Sequence, residues 1–276
     1  MPYAHVVKPG SKVKLADIDP SYHDGLSEEE ALTKIQEIGS RLSGLQELLY
    51  ASHVNSLLIV LQGRDTSGKD GSIRRILSYS NVQSTRVIPF KVPTELEASH
   101  DFLWRIHSAA PGKGDLTIFN RSHYEDVVVV RVHELAPKHV WKKRYDQIND
   151  FEELLMENGT IVLKFYLHIS KDEQKQRLLA READPKKYWK LEVGDWKERE
   201  LWGEYTDAYE DALEKCSTDH APWRIVPANH KWFRDLAIAE AIEHALKPHE
   251  SAWMESLKER GEREKKAIDE YRKNAS

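Results

Sequence analysis

Five short apolar runs, separated by stretches with helical signals, constrain this chain more than any other feature. They are SLLIVLQG (56–63), STRVIPF (84–90), DLTIFN (115–120), GTIVLKFYLHIS (159–170) and WRIVPAN (223–229). A strand with one face in water alternates polar and apolar residues; runs apolar on both faces fit a buried parallel sheet. Helices are expected between them at about 68–79, at 94–109 behind the capping box Thr94-x-x-Glu97, at 138–158, and from the box Ser170-x-x-Glu173. Another precedes the first strand, opened by Ser27-x-x-Glu30 and carrying Leu32, Ile35, Ile38, Leu42, Leu45 and Leu49 at helical spacing. The pattern predicts an α/β domain: a five-stranded parallel sheet with helices on both faces. Ligands of such sheets sit at the carboxyl ends of the strands. Three segments fall there: the loop after Gly63, Asn120-Arg121-Ser122, and Pro227-Ala228-Asn229.

The chain of 276 residues and 32.0 kDa suits one large domain with appendages. Residues 1–26 read as an extended arm, 27–248 as the main domain, and 249–276 as a charged helix with a solvated or partner-contacting face. Within the domain, 184–200 interrupts the alternation with charges and aromatics and reads as a mobile flap. A net charge of -5 argues against a general nucleic-acid binder. Cys216 is the single cysteine, so no disulfide framework exists, and the 13 histidines offer no convincing metal-ligand pair. No apolar signal core opens the chain and no run approaches a membrane span, so a cytoplasmic protein with no membrane partner is expected.

The first run ends in GRDTSGKDG (63–71), where Gly63-x4-Gly68-Lys69 has the spacing of a phosphate loop. A Gly-rich turn between strand and helix exposes backbone N–H groups and aims a helix N-terminus at an anion, and Lys69 adds a full positive charge. The alternative, an ordinary turn with a surface lysine, does not explain the apolar strand before it and the helical pattern Ile73, Ile76, Leu77 after it. Two acids in a phosphate loop need a cation beside them. Mg²⁺ takes carboxylate, water and phosphate oxygens together, and Asp65 is the candidate ligand. Asp70 stands where the commoner loop has Ser or Thr; it either serves the metal or only complements the helix dipole. In the second motif, Arg121 lies just beyond a strand end, placed to neutralise charge on a transferring phosphoryl group. Asn120 occupies a position where such folds often carry a metal-holding Asp, although an amide is a weaker ligand; Glu125 and Asp126 follow one turn on.

Taken together, GRDTSGKDG (63–71), VPTELEASHDFLWRIH (92–107), FNRSHYEDVVVVRV (119–132), FYLHISKDEQKQRL (165–178) and APWRIVPANHKWFR (221–234) resemble a family-2 polyphosphate kinase over roughly residues 30–247. The resemblance implies a three-layer P-loop kinase fold like that of thymidylate kinase, with a helical lid over about 171–200. It implies Mg²⁺-dependent phosphoryl transfer between inorganic polyphosphate and the nucleotides AMP, ADP and ATP, in a homodimer or homotetramer. The Asn-Arg-Ser-His-Tyr-Glu-Asp run is similar to the branch that uses both nucleoside mono- and diphosphates. On this reading Asp65, Lys69 and Arg121 are catalytic, and Asp65 and Asn120 face the metal. Phosphate contacts are expected from Gly63, Arg64, Thr66, Ser67, Gly68, Lys69, Asp70, Arg74, Arg131, Arg177 and Arg181. Nucleotide contacts are expected from Asn120, Ser122, Glu125, Lys186 and Lys187. An ATP-dependent nucleoside or nucleotide kinase shares loop and lid and is the principal rival.

Overall fold

The structure is a computed structural model and describes residues 2–275. Its strands are β1 (His5–Val6), β2 (Ser56–Gln62), β3 (Thr85–Pro89), β4 (Leu116–Asn120), β5 (Thr160–His168) and β6 (Trp223–Pro227). The helices, in chain order, are α1 (Glu28–Ser52), α2 (Lys69–Leu77), α3 (Glu95–Ala98), α4 (Trp104–Ala109), α5 (Val129–Val132) and α6 (Lys138–Glu157). They continue with α7 (Lys171–Glu182), α8 (Val193–Glu200), α9 (Trp202–Lys215), α10 (Lys231–Leu246) and α11 (Glu250–Ala275). Short 3-10 turns cover His123–Asp126 and Pro185–Lys190.

The five apolar runs all become strands, and β2 is buried at every residue. Because successive side chains alternate faces, each strand feeds two cores. Leu57, Ile59 and Leu61 with Leu163, Phe165 and Leu167 meet α1, α2 and α10 on one side. Leu58 and Val60 with Val162, Tyr166 and Ile225 meet α6 and α9 on the other.

The sheet order is β1-β6-β5-β2-β4-β3. It therefore has six strands, one more than expected, and it is mixed: β1 pairs antiparallel with β6, through His5 opposite Ile225 and Val6 opposite Arg224. Two residues of the arm carry no readable period, and only tertiary pairing makes them a strand. The other five strands are parallel, as expected.

The boxes at Ser27 and Thr94 form, each with reciprocal bonds to the Glu three residues on. At Ser170 only half forms: its hydroxyl accepts from Glu173 N–H, while the Glu173 carboxylate turns to Arg177, 2.7 Å away. The helix expected over 94–109 is two short helices, α3 and α4, parted at Ser99–Leu103. Along α1 the predicted apolar positions are buried, except Leu32, which faces outward.

No helix among the described residues is long and apolar enough to cross a membrane.

Candidate active site

The β2–α2 turn and the end of β4 meet because β2 and β4 are direct neighbours, with Leu61 in register with Asn120. The loop backbone is unusual: Gly63 and Gly68 have φ of 149° and 109°, and Thr66 has φ 62°. Across from it Arg121 also sits in the left-handed region, at φ 63°, with its N–H given to Leu61 O. Two non-glycine residues held in this region at facing strand ends are the kind of stored strain that marks a functional site.

Lys69 closes back over the loop, donating from Nζ to the carbonyls of Gly63 (2.7 Å) and Arg64 (3.2 Å). Burial, followed by the positive charge of Arg121, pulls its pKa down from 10.5 to about 8; Asp65, Glu125 and Asp70 only partly oppose this. An arriving anion would restore the charged form. Binding of tripolyphosphate to the metal-free protein is therefore expected to weaken as pH rises through about 8. Titration calorimetry from pH 7 to 9 checks this: Lys69→Met should flatten the profile, and a flat wild-type profile would contradict it.

Arg121 holds both acids of the site. It donates to Asp65 Oδ1 (2.5 Å) and to Glu125 Oε2 (3.1 Å). Burial works against its charge, but Glu125 and Asp65 outweigh that and keep it firmly protonated. Glu125 Oε1 is buried with no hydrogen-bond partner, as are the hydroxyls of Thr66 and Ser67. Unsatisfied polar atoms clustered at one turn mark a place prepared for a ligand.

Asp65 and Glu125, sharing one guanidinium, fit a hard dication as a pair of carboxylate donors. Among the described residues no three His, Cys, Asp or Glu side chains could hold a metal by themselves. Such an ion would complete its sphere with phosphate oxygens and water, as Mg²⁺ commonly does. Asn120, the expected second ligand, instead donates its amide to Asp70 Oδ1 at 3.1 Å.

Asp70 has a use that neither sequence reading foresaw. Lys190, on the 3-10 turn of the flap, reaches down to Asp70 Oδ2 at 2.6 Å. Burial opposes ionisation of Asp70, but Lys190 and Asn120 hold its carboxyl below the usual range. The flap is therefore shut onto the loop. The remaining cleft, lined by Gly63, Asp65, Arg121, Trp202, Tyr205 and Tyr209, encloses only about 20 Å³. That is room for a water, while a nucleotide needs a pocket of roughly 300 Å³ or more.

The family model described as Polyphosphate kinase 2 (PPK2) matches residues 25–253. The chain belongs to the polyphosphate kinase 2 family. It is 47% identical over 243 residues to the AMP/ADP-polyphosphate phosphotransferase of Meiothermus ruber, covering 87% of this chain and 91% of that protein. It is 41% identical over 263 residues to the ADP-polyphosphate phosphotransferase of Rhodopseudomonas palustris, covering 90% of each. Its fold superimposes on the crystal structure of Polyphosphate Kinase 2 from Arthrobacter aurescens TC1 with a TM-score of 0.84 and 41% identity, covering 90% of this chain and 92% of that one.

Within this family member the other residues expected at the site divide by what they touch. Arg64 is turned toward α9: it donates to Trp202 O (3.0 Å) and Thr206 Oγ1 (2.6 Å), with its guanidinium 3.8 Å over the Trp202 ring. Arg131 pairs with Asp211 at 2.5 Å, tying α5 to α9, and does not line the cleft. Arg181 pairs with Asp195 (2.5 Å) and Lys190 O (3.0 Å), bracing the flap internally. Arg74 is exposed on α2, Lys186 is exposed on the flap, and Lys187 pairs with Asp184 at 2.8 Å. Ser122 is fully buried, its hydroxyl accepting from Gln62 Nε2 and Tyr124 N–H, so it caps the turn. Asp126 is bound to Arg144 at 3.0 Å, which leaves Glu125 as the acid that faces the loop.

Two contributions escaped the sequence reading. Arg234, at the start of α10, lies buried directly behind the loop, paired with Asp235 at 2.7 Å. A Cβ on Gly68 would come 1.8 Å from its Nη1, so the loop is glycine there for space as well as for φ. The second is a wholly buried network under the Arg121 turn. Glu152 accepts from Lys164 (2.5 Å) and Tyr124 OH (2.9 Å) and lies 3.2 Å from His123 Nε2. Lys164 also donates to Tyr124 OH and Cys216 O. The lone charge inside the apolar run GTIVLKFYLHIS was its only outward sign.

Proposed function

We propose that this protein transfers phosphoryl groups between inorganic polyphosphate and nucleotides, raising AMP and ADP to ADP and ATP, reversibly. The reading is carried by one arrangement: a buried Lys69 in a strand–loop–helix turn, facing an Arg121 that two carboxylates hold in place. The names of the two relatives supply the substrate class. The whole domain is read as a three-layer P-loop kinase of the thymidylate-kinase kind, with residues 171–200 as its lid, working in the cytoplasm as a homodimer or homotetramer.

Phosphoryl transfer asks for positioning and charge neutralisation more than covalent work. Lys69 leaves its two loop carbonyls for the donor's phosphate oxygens, and the loop N–H groups receive the same phosphate. Asp65 and Glu125 would hold Mg²⁺, which when bound supplies the charge balance between donor and acceptor phosphates. Arg121 then meets the charge of the group in transit. The acceptor phosphate is already anionic at neutral pH, so no residue needs to remove a proton. Lys190 releases Asp70 to admit substrate and returns to exclude water.

The test is ATP formation by purified protein with Mg²⁺, polyphosphate and either AMP or ADP. Activity with ADP is expected, with Lys69→Ala lower by at least about 100-fold; product from AMP would assign the dual-acceptor class. If polyphosphate fails as donor but ATP phosphorylates a nucleoside or nucleotide, the ordinary kinase reading replaces this one.

A further inference from the structure

We propose that Arg177, midway along α7, is a positioning residue that sets the peptide orientation of the phosphate loop and never touches phosphate itself. The proposal rests on reading Gly63–Lys69 as the phosphate site. Every donor edge of the guanidinium is committed within the protein. Nη1 donates to the carbonyls of Thr66 (3.0 Å) and Ser67 (3.2 Å). Nη2 donates to the carbonyls of Ala228 (2.6 Å) and Asn229 (2.8 Å), just past β6. Nε donates to Glu173 at 2.7 Å. The side chain is only 10% exposed.

A trans peptide points its C=O and N–H to opposite sides. Holding the Ser67 carbonyl on the Arg177 side therefore turns the Gly68 N–H the other way, toward the anion. The same grip satisfies two carbonyls that the strained Thr66 turn would otherwise leave without donors. A planar fork bonded to four carbonyls from two segments is a task that lysine, a point donor, cannot reproduce. It also fastens α7 to the loop at its midpoint, so lid opening has to begin beyond Arg177.

Arg177→Lys and Arg177→Gln in the full chain separate this role from a direct phosphate contact. Both variants are expected to bind tripolyphosphate at least tenfold more weakly. Amide hydrogen exchange should quicken across residues 63–70 but not in β4 or β5. The salt dependence of tripolyphosphate binding should keep its wild-type slope, because no ionic contact to the anion is lost. If Arg177→Lys retains wild-type affinity, or if the slope falls by about one, Arg177 is a phosphate ligand and the proposal fails.

Glu173→Ala, which frees only Nε, should give the same exchange pattern at smaller amplitude, and it carries the test if the Arg177 variants do not fold. Unchanged loop exchange in that variant overturns the proposal. The exchange comparison uses no substrate, so its outcome stands apart from the reaction assay.

Discussion

Replacing Arg121 with Ala is expected to lower kcat by on the order of 1000-fold, the scale seen when a guanidinium that meets a transferring phosphoryl group is lost. The effect should fall on kcat far more than on KM, because the charge Arg121 meets is greatest in the transition state. Arg121→Lys should recover little. The guanidinium spans Asp65 and Glu125 with two separate nitrogens, and an ammonium, whose donors all radiate from one nitrogen, cannot reproduce that span. Steady-state kinetics with polyphosphate and ADP measure this. A kcat within tenfold of wild type in the Ala variant would remove Arg121 from the chemistry and leave it as a tether for the two carboxylates.

The second large effect concerns stability. Lys164→Met keeps the length of the side chain but strands the Glu152 carboxylate in a site with no solvent exposure. Breaking one half of a buried pair costs about 3–5 kcal/mol, equivalent to a fall in Tm of roughly 10 °C for a domain of this size. Adding Glu152→Gln to Lys164→Met should return part of that loss, because the uncompensated charge goes with it. Thermal and urea unfolding of the single and double variants provide the comparison; a single variant as stable as wild type would contradict it. The pH dependence has a definite sign. Burial opposes ionisation of Glu152, yet Lys164 and His123 hold its carboxyl below the ordinary value. Its contribution is therefore present above the unfolded carboxyl pKa of about 4.3 and is lost as pH falls through the lower folded value.

The central strands β2 and β5 were legible because they are buried on both faces and are written as nearly unbroken apolar runs. β3, at the sheet margin and only partly buried, was legible from its short apolar stretch between helical signals. The loop was legible because Gly63, Gly68 and Lys69 have a spacing that only a strand–turn–helix context explains. What escaped notice shares one cause: it depends on residues far apart in sequence. Asp70 and Lys190 are 120 positions apart and meet only because the flap folds back. Arg177 carried the right charge for a phosphate contact, but its surroundings are carbonyls, and composition cannot distinguish a cation facing an anion from one gripping a backbone. Lys164 lies inside a run read simply as a strand, and nothing local named Glu152 as its partner. The break between α3 and α4 likewise lies inside a run whose residues alone are compatible with one helix.

The two borders of the sheet bear on how copies of this chain can associate. On one side the arm lays down a strand only two residues long. On the other, β3 ends in Pro89, which has no N–H to offer, and carries Arg86 beside Asp115 at 3.7 Å. Short or charged margins with a missing donor are poor templates for strand addition. Self-association by continuing one sheet through two subunits is accordingly disfavoured. A dimer or tetramer built from helical faces instead would leave the carboxyl ends of the strands, and the flap over them, outside any continued sheet.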